Sequence, residues 1–438
     1  MGIVRLRRPV PRAIEVREVP GVEEALATRD PVASARRILE ILRGGEDRKE
    51  VVRSAALAAA RRFAPALPPP HGLPALSAAL DLARHAPDSA LVVAQACALA
   101  ASEWRAEPLE GAGHAINGDE LHLAQSFRVA VRGGEVRDAD AIFSGLLREG
   151  DERRLAGDAL FELCAQDLAG EAHKLPFAVA TWRLARSLGW LRGPVLMRPA
   201  VHLAAMPSQD LTEYGSAMRE VGRARLDLEL AARNVAPLDG VARNTFGIAL
   251  GAGPDRLVAD LIAGLKRGRA PAGYADLIAA TAAERLIGEP KALEPALFAF
   301  AVRFVLGFSR TSTHTLAVLQ AARLIASVHA PDPVSAVRVP DPAAGLADLD
   351  RAIEAGNPRE AARLALGLVE ATEPEAIVPH LVRQAALADA EDGHRLLYAA
   401  AAVEFVGVAP GAVLASLAAV LARAPASRAV AEAVSPSS

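Results

Sequence analysis

A stretch that recurs four times constrains this chain more tightly than any other feature. It reads HGLPALSAALDLAR from His71, HKLPFAVATWRLAR from His173, HTLAVLQAARLIAS from His314 and HRLLYAAAAVEFVG from His394. Two residues after each histidine comes leucine: Leu73, Leu175, Leu316 and Leu396. Seven residues after it comes alanine: Ala78, Ala180, Ala321 and Ala401. A large apolar residue follows at +11: Leu82, Leu184, Ile325 and Phe405. Offsets 0, +4, +7 and +11 share one helix face, so each histidine heads an apolar stripe. Pro74 and Pro176 at +3 fit only a first turn, where backbone N–H groups lack intrahelical partners. The histidine therefore stands at a helix start, where the positive end of the dipole disfavours the imidazolium.

The flanking segments recur in the same order. Helix, turn, helix, third helix, His-helix and fifth helix follow one another around His71, His173 and His394. Asp30 to His71 spans 41 residues, Gly134 to His173 spans 39, and Gly356 to His394 spans 38. Gly253 to His314 spans 61. That excess calls for an extra helix in the third unit, AAERLIGE or LEPALFAFAVRFVLGF, and the proline-rich VHAPDPVSAVRVPDP reads as an eroded fifth helix. No segment sustains the period-two alternation of a strand. The expected fold is all-α, a helical repeat array of four roughly 80-residue units of about five helices each, with curvature or closure left open. The expected boundaries are an extended leader at 1–21, repeat units at 22–103, 125–206, 241–340 and 341–425, insertions at 104–124 and 207–240, and a flexible tail at 426–438.

The chain is 52% hydrophobic but only 4% aromatic, a small aliphatic composition that suits closely packed helices. Net charge is −3, which excludes a global field for nucleic acid or an anionic membrane. The apolar run Phe405 to Ala422 corresponds to a helix that follows the other His-helices, so it reads as buried rather than membrane-spanning. Cys97 and Cys164 lie in apolar runs and read as buried free thiols. The N-terminus lacks the apolar core of a signal peptide, and the expected location is cytoplasmic.

His71, His173, His314 and His394 carry two readings. Each can be a neutral buried histidine that bonds a carbonyl of the preceding connection. Alternatively, two or more converge on a shared cleft to bind a metal or move protons, which requires the array to bend back on itself. A second cluster is His114, Asn117, Asp119, Glu120 and His122 in the first insertion, either a capped turn or a binding site. A third is Ser309, Arg310, Thr311, Ser312 and Thr313, either a cap or an anion site. No P-loop, Gly-x-Ser-x-Gly or HExxH motif is present, and GAGPDR at 251–256 lacks the strand of a dinucleotide fingerprint. The identity of any metal or cofactor does not follow from the residues.

The pattern of an HxL…A helix followed by a proline- or glycine-started helix, at His71, His173, His314 and His394, resembles the helical region of long Rieske-type bacterial proteins. It is also similar to the all-helical questin oxidase-like family. Cys97 and Cys164 lack the Cys-x-His and Cys-x-x-His ligands of a Rieske cluster. The resemblance implies oxidoreductase-like chemistry on a small organic substrate in a pocket between repeats. The alternative is a non-catalytic scaffold that binds a protein partner or small ligand, and whether the chain is an enzyme stays open at this point.

Overall fold

A computed structural model describes residues 17–105, 107–109, 114–147, 151–190, 192–207, 209–388, 393–423 and 429–434. The expected leader lies outside the described residues up to residue 16. Among the described residues every regular element is a helix, and the one bridge, Ala236–Arg269, is isolated. The first unit holds α1 (Val22–Ala27), α2 (Pro31–Arg43), α3 (Arg48–Arg61), α4 (Gly72–Leu82) and α5 (Ser89–Ser102). The second holds α6 (Glu120–Gly133), α7 (Val136–Leu146), α8 (Asp151–Gln166), α9 (Lys174–Ser187) and α10 (Gly193–Ala204). The 207–240 insertion forms α11 (Thr212–Ala224) and α12 (Leu228–Ala232). The third unit holds α13 (Gly240–Gly251), α14 (Pro254–Lys266), α15 (Pro271–Gly288), α16 (Leu293–Phe308) and α17 (Ser312–Ser327). The fourth holds α18 (Pro342–Glu354), α19 (Pro358–Ala371), α20 (Pro374–Leu387), α21 (His394–Phe405) and α22 (Pro410–Ala422), followed by α23 (Ala429–Val434).

Local chemistry sets the turns between the first two helices of each unit. Asp30 caps α2 by accepting from Val32 and Ala33 N–H, with Pro31 at the first helical position. Gly134 closes α6 in the left-handed region, and Asn357 caps α19 after left-handed Gly356.

One pairing pattern recurs in all four units. The second helix packs on the fifth (α2–α5, α7–α10, α14–α17, α19–α22), the third on the fourth (α3–α4, α8–α9, α15–α16, α20–α21), and the fourth on the fifth. This corrects the reading of the third unit. Its fourth helix is α16, and α17, which carries His314, is its fifth. No extra helix is inserted and no fifth helix is eroded; the connection after Ser327 simply has no helix before Pro342.

The units close on one another. Each third helix packs on the fifth helix of the next unit: α3 on α10, α8 on α17, α15 on α22 and α20 on α5. The fourth helices form the inner ring, with α4 on α9, α9 on α16, α16 on α21 and α21 back on α4. Polar contacts cross these seams: Gln95 Nε2 donates to the Ala388 carbonyl at 2.7 Å, and Arg423 donates to the Leu286 carbonyl at 2.8 Å. Part of the expected flexible tail is ordered. In α23, Ala429 and Val430 are buried, and the helix packs against α2, α5 and α20 where the last unit meets the first. The Phe405 to Ala422 run forms the end of α21 and the buried α22, and no helix among the described residues is long and apolar enough to cross a membrane.

Candidate metal centre

Closure brings three histidines together. Ligand nitrogens of His71, His173 and His394 lie within 4.8 Å of one another. His173 Nε2 is 2.7 Å from His394 Nε2, and the His71 ring centroid is 4.1 Å from that of His394 and 5.3 Å from that of His173. Each residue begins the fourth helix of a different unit, so residues up to 323 apart in sequence meet at one end of the inner ring. His314 does not join them. It is fully buried on α17, with its Nδ1 2.9 Å from the Ser309 carbonyl oxygen, and its pKa is lowered by burial.

The connection before His173 aims its ring. Gly170, Glu171 and Ala172 all take positive φ, at 64°, 59° and 65°. Left-handed backbone costs roughly 1–2 kcal/mol for each residue that carries a Cβ, so Glu171 and Ala172 store strain beside the site. The turn places the Gly170 carbonyl 2.5 Å from His173 Nδ1. Nδ1–H donating to that carbonyl fixes the tautomer and turns the Nε2 lone pair toward the centre, as in metal-ligating histidines. A buried ion pair anchors the turn: Lys174 Nζ donates to Asp167 Oδ2 at 2.5 Å, while Asp167 Oδ1 accepts from Ala169 and Asp210 N–H.

Two glycines permit the approach of the other helix starts. A Cβ on Gly393 would come within 2.4 Å of His71 Cβ and 2.6 Å of Leu99 Cδ2. A Cβ on Gly72 would come within 2.9 Å of both Ala100 Cα and Glu103 Oε2. That space lets the Glu103 carboxylate cap α4, accepting from the N–H groups of His71 and Gly72 at 2.6 Å each. Burial pushes Glu103 up to about 7, against the lowering effect of those two donors and of nearby Arg105 and His394.

Below the histidines the inner ring lines a half-open cavity of about 80 Å³, several times the ~10–15 Å³ that one water needs. Its lining is layered. Pro74, Pro176 and Leu397 stand three residues after the histidines, Ala78, Ala180 and Ala401 seven after, and Asp81, Arg183 and Glu404 ten after. On α16 the lining residues are Leu297, Phe300, Ala301, Arg303 and Phe304. Leu297, Ala301 and Phe304 sit at +3, +7 and +10 from Glu294, so Glu294 holds on the fourth helix the register that histidine holds on the other three. The four inner helices therefore present equal offsets to one cavity, with the small alanines at +7 leaving its space open. At the far end Arg183 bonds Asp81 at 2.8 Å and pairs with Glu404, and its guanidinium lies 5.7 Å from the Phe304 ring centroid.

Four parallel helix N-termini, each worth roughly half a positive charge, point at the centre. They favour the neutral imidazole over the imidazolium. Three neutral imidazoles drawn from separate, rigidly packed helices make a nitrogen donor set suited to a divalent first-row ion. Around a tetrahedral ion at ~2.0–2.1 Å the nitrogens stand about 3.3 Å apart.

The remaining sequence candidates stand elsewhere. His114 and His122 are exposed, and Asp119 caps α6 by accepting from His122 N–H at 2.9 Å. Arg310 is exposed, while Thr311 caps α17 by accepting from His314 N–H at 3.2 Å. Cys97 and Cys164 are buried free thiols, pushed up to about 12 by burial. The sequence reading did not single out Glu103, Gly393 or Glu294. For Glu294 a signal existed: it lies 41 residues after Gly253, the same spacing as Asp30 to His71. No protein-family model, curated protein or solved structure matches this chain.

Proposed function

We propose that this protein is a metal-dependent enzyme that binds a divalent first-row ion through His71, His173 and His394 and acts on a small, largely apolar organic molecule. The observation that carries the reading is the convergence of three imidazoles from three units, within 4.8 Å, at the starts of helices whose following turns line a half-open cavity. The packing of a repeat explains a histidine at each helix start. It does not require two consecutive non-glycine residues in the left-handed region and ring nitrogens from different units facing one another. The bound ion would supply Lewis-acid or redox chemistry. The protein's part is to position the imidazoles and seat the substrate between Pro74, Pro176, Leu297 and Leu397 and the alanine layer below. Oxidoreductase chemistry is the reaction class favoured by the family resemblance at the same histidines.

The test is metal content of purified wild-type protein beside His173→Ala and His394→Ala, with circular dichroism as the control for folding. The expected outcome is about one ion per chain in wild type and loss of metal in both folded variants. A wild-type protein that takes up no first-row divalent ion would sink the reading. Oxygen uptake by ferrous-loaded protein with small aromatic substrates, set against ester hydrolysis by zinc-loaded protein, separates the redox class from the hydrolytic one. The scaffold reading draws on Val241 and Ile248, exposed on one face of α13; it gains if metal is absent and partner binding is lost on Ile248→Glu.

A further inference from the structure

We propose that Glu294 is the fourth protein ligand, so that the inner ring holds a three-histidine, one-carboxylate centre. This rests on the three-histidine reading above and specifies its donor set. The register is the main argument. Leu297, Ala301 and Phe304 line the cavity at the same offsets from Glu294 as the corresponding residues do from His71, His173 and His394. On a parallel ring, equal offset means equal height and the same inward face. Glu294 thus stands at the height of the imidazoles on α16, between α9 and α21, the helices that His173 and His394 begin.

Charge supports the same assignment. A dication held by three neutral imidazoles at four helix N-termini would face the positive ends of four dipoles with no anionic ligand. Glu294 lies in the first turn of α16, where the dipole stabilises its ionised form. It is half-buried, consistent with an inward side chain. The three nitrogens alone form the mutually close set without an ion, and Glu294 closes on the ion by rotation about its side-chain bonds. Three nitrogens and one oxygen leave open positions on a six-coordinate ion such as Fe²⁺, Mn²⁺ or Co²⁺, and this donor set departs from the all-histidine tetrahedral sites of Zn²⁺.

The experiment titrates Co²⁺ into metal-free full-length wild type, Glu294→Gln and His173→Ala, reading affinity and the visible d–d absorption. Wild type is expected to bind Co²⁺. Glu294→Gln, which keeps shape and removes charge, is expected to lose at least about tenfold in affinity and to shift the absorption band. A purely structural role for Glu294 would alter the melting temperature but not the band. If Glu294→Gln binds Co²⁺ with wild-type affinity and an unchanged band, Glu294 is not a ligand and the three-histidine reading survives. If wild type binds no Co²⁺, both fall. Should Glu294→Gln not fold, Glu294→His replaces it: retained binding with a shifted band supports ligation, and a wild-type band overturns it.

Discussion

Nε2 of His173 and Nε2 of His394 face one another at 2.7 Å, although 221 residues separate them in the chain. Two like atoms meet so closely only if one carries a proton or both direct lone pairs at a shared partner. The Gly170 carbonyl accepts the Nδ1 proton of His173, so in that pair His173 Nε2 is the acceptor. The meeting depends on the ring of units being closed, because α9 and α21 belong to units that touch only through the inner ring and its neighbours. Features that hold the helix starts in place should therefore control the site.

Gly393 is the first of these. Its missing Cβ leaves room for His71 Cβ, which a methyl group would approach to 2.4 Å. Gly393→Ala should destabilise the protein by about 1–3 kcal/mol through overpacking and should weaken metal uptake beyond what the stability loss explains. Urea unfolding and metal content of the folded fraction measure the two effects. Wild-type values for both would show that the α4–α21 approach is slack.

Lys174 is the second. Its side chain is fully buried and paired with Asp167, whose other oxygen holds the backbone that leads to the left-handed turn. Lys174→Met removes one charge and leaves the other buried, a change that costs about 3–5 kcal/mol. A loss of that size in chemical denaturation is expected, larger than for replacement of the exposed pair Arg37–Glu40, which should stay within ~1 kcal/mol.

Arg183 closes the end of the cavity away from the histidines, by bonding Asp81 and Glu404. Its partners are partly exposed, so Arg183→Ala should cost no more than ~1 kcal/mol in pair energy. If this end is the route to the centre, the variant should release its metal to a chelator several-fold faster than wild type, at unchanged equilibrium affinity. Equal release rates would place the route elsewhere.

His314 sets a pH dependence that does not involve the metal. Burial lowers its pKa, opposed by the Ser309 carbonyl and by Asp158 and Glu162. With the folded-state value below the unfolded one, its contribution to stability is complete above the ordinary histidine pKa of about 6.5 and is lost as pH falls through the folded value. Wild type should therefore lose stability between pH 7 and pH 5 more steeply than His314→Asn. Parallel pH profiles of the two would exclude His314 as the cause.

The all-helical class was legible in the sequence, and so was the helix order of the first, second and fourth units, because these are written in local signals: period-3.6 apolar stripes, aspartate and asparagine caps, and glycine turns. The histidines were visible too, but only as four equivalents. The recurring HxL…A pattern placed His314 among them, since α17 also begins with a capped turn and an alanine stripe. Counting from the Gly253 turn instead reaches Glu294, which the search for a histidine passes over. Local pattern establishes that a residue begins a buried helix, and it does not say which helix of the unit that is.

The sequence by itself determined the helices and the helix-starting position of His71, His173 and His394. Only the tertiary structure decided that these three meet, that His314 does not, and that α16 rather than α17 is the fourth inner helix. The reason is geometric. In an open array, histidines 102 and 323 residues apart lie in separate units, and each would be a packing residue and nothing more. When α20 packs on α5 the array closes, and the four inner helix starts converge on one axis. Closure is a property of small angles accumulated across every seam between units, which no local stretch of sequence records.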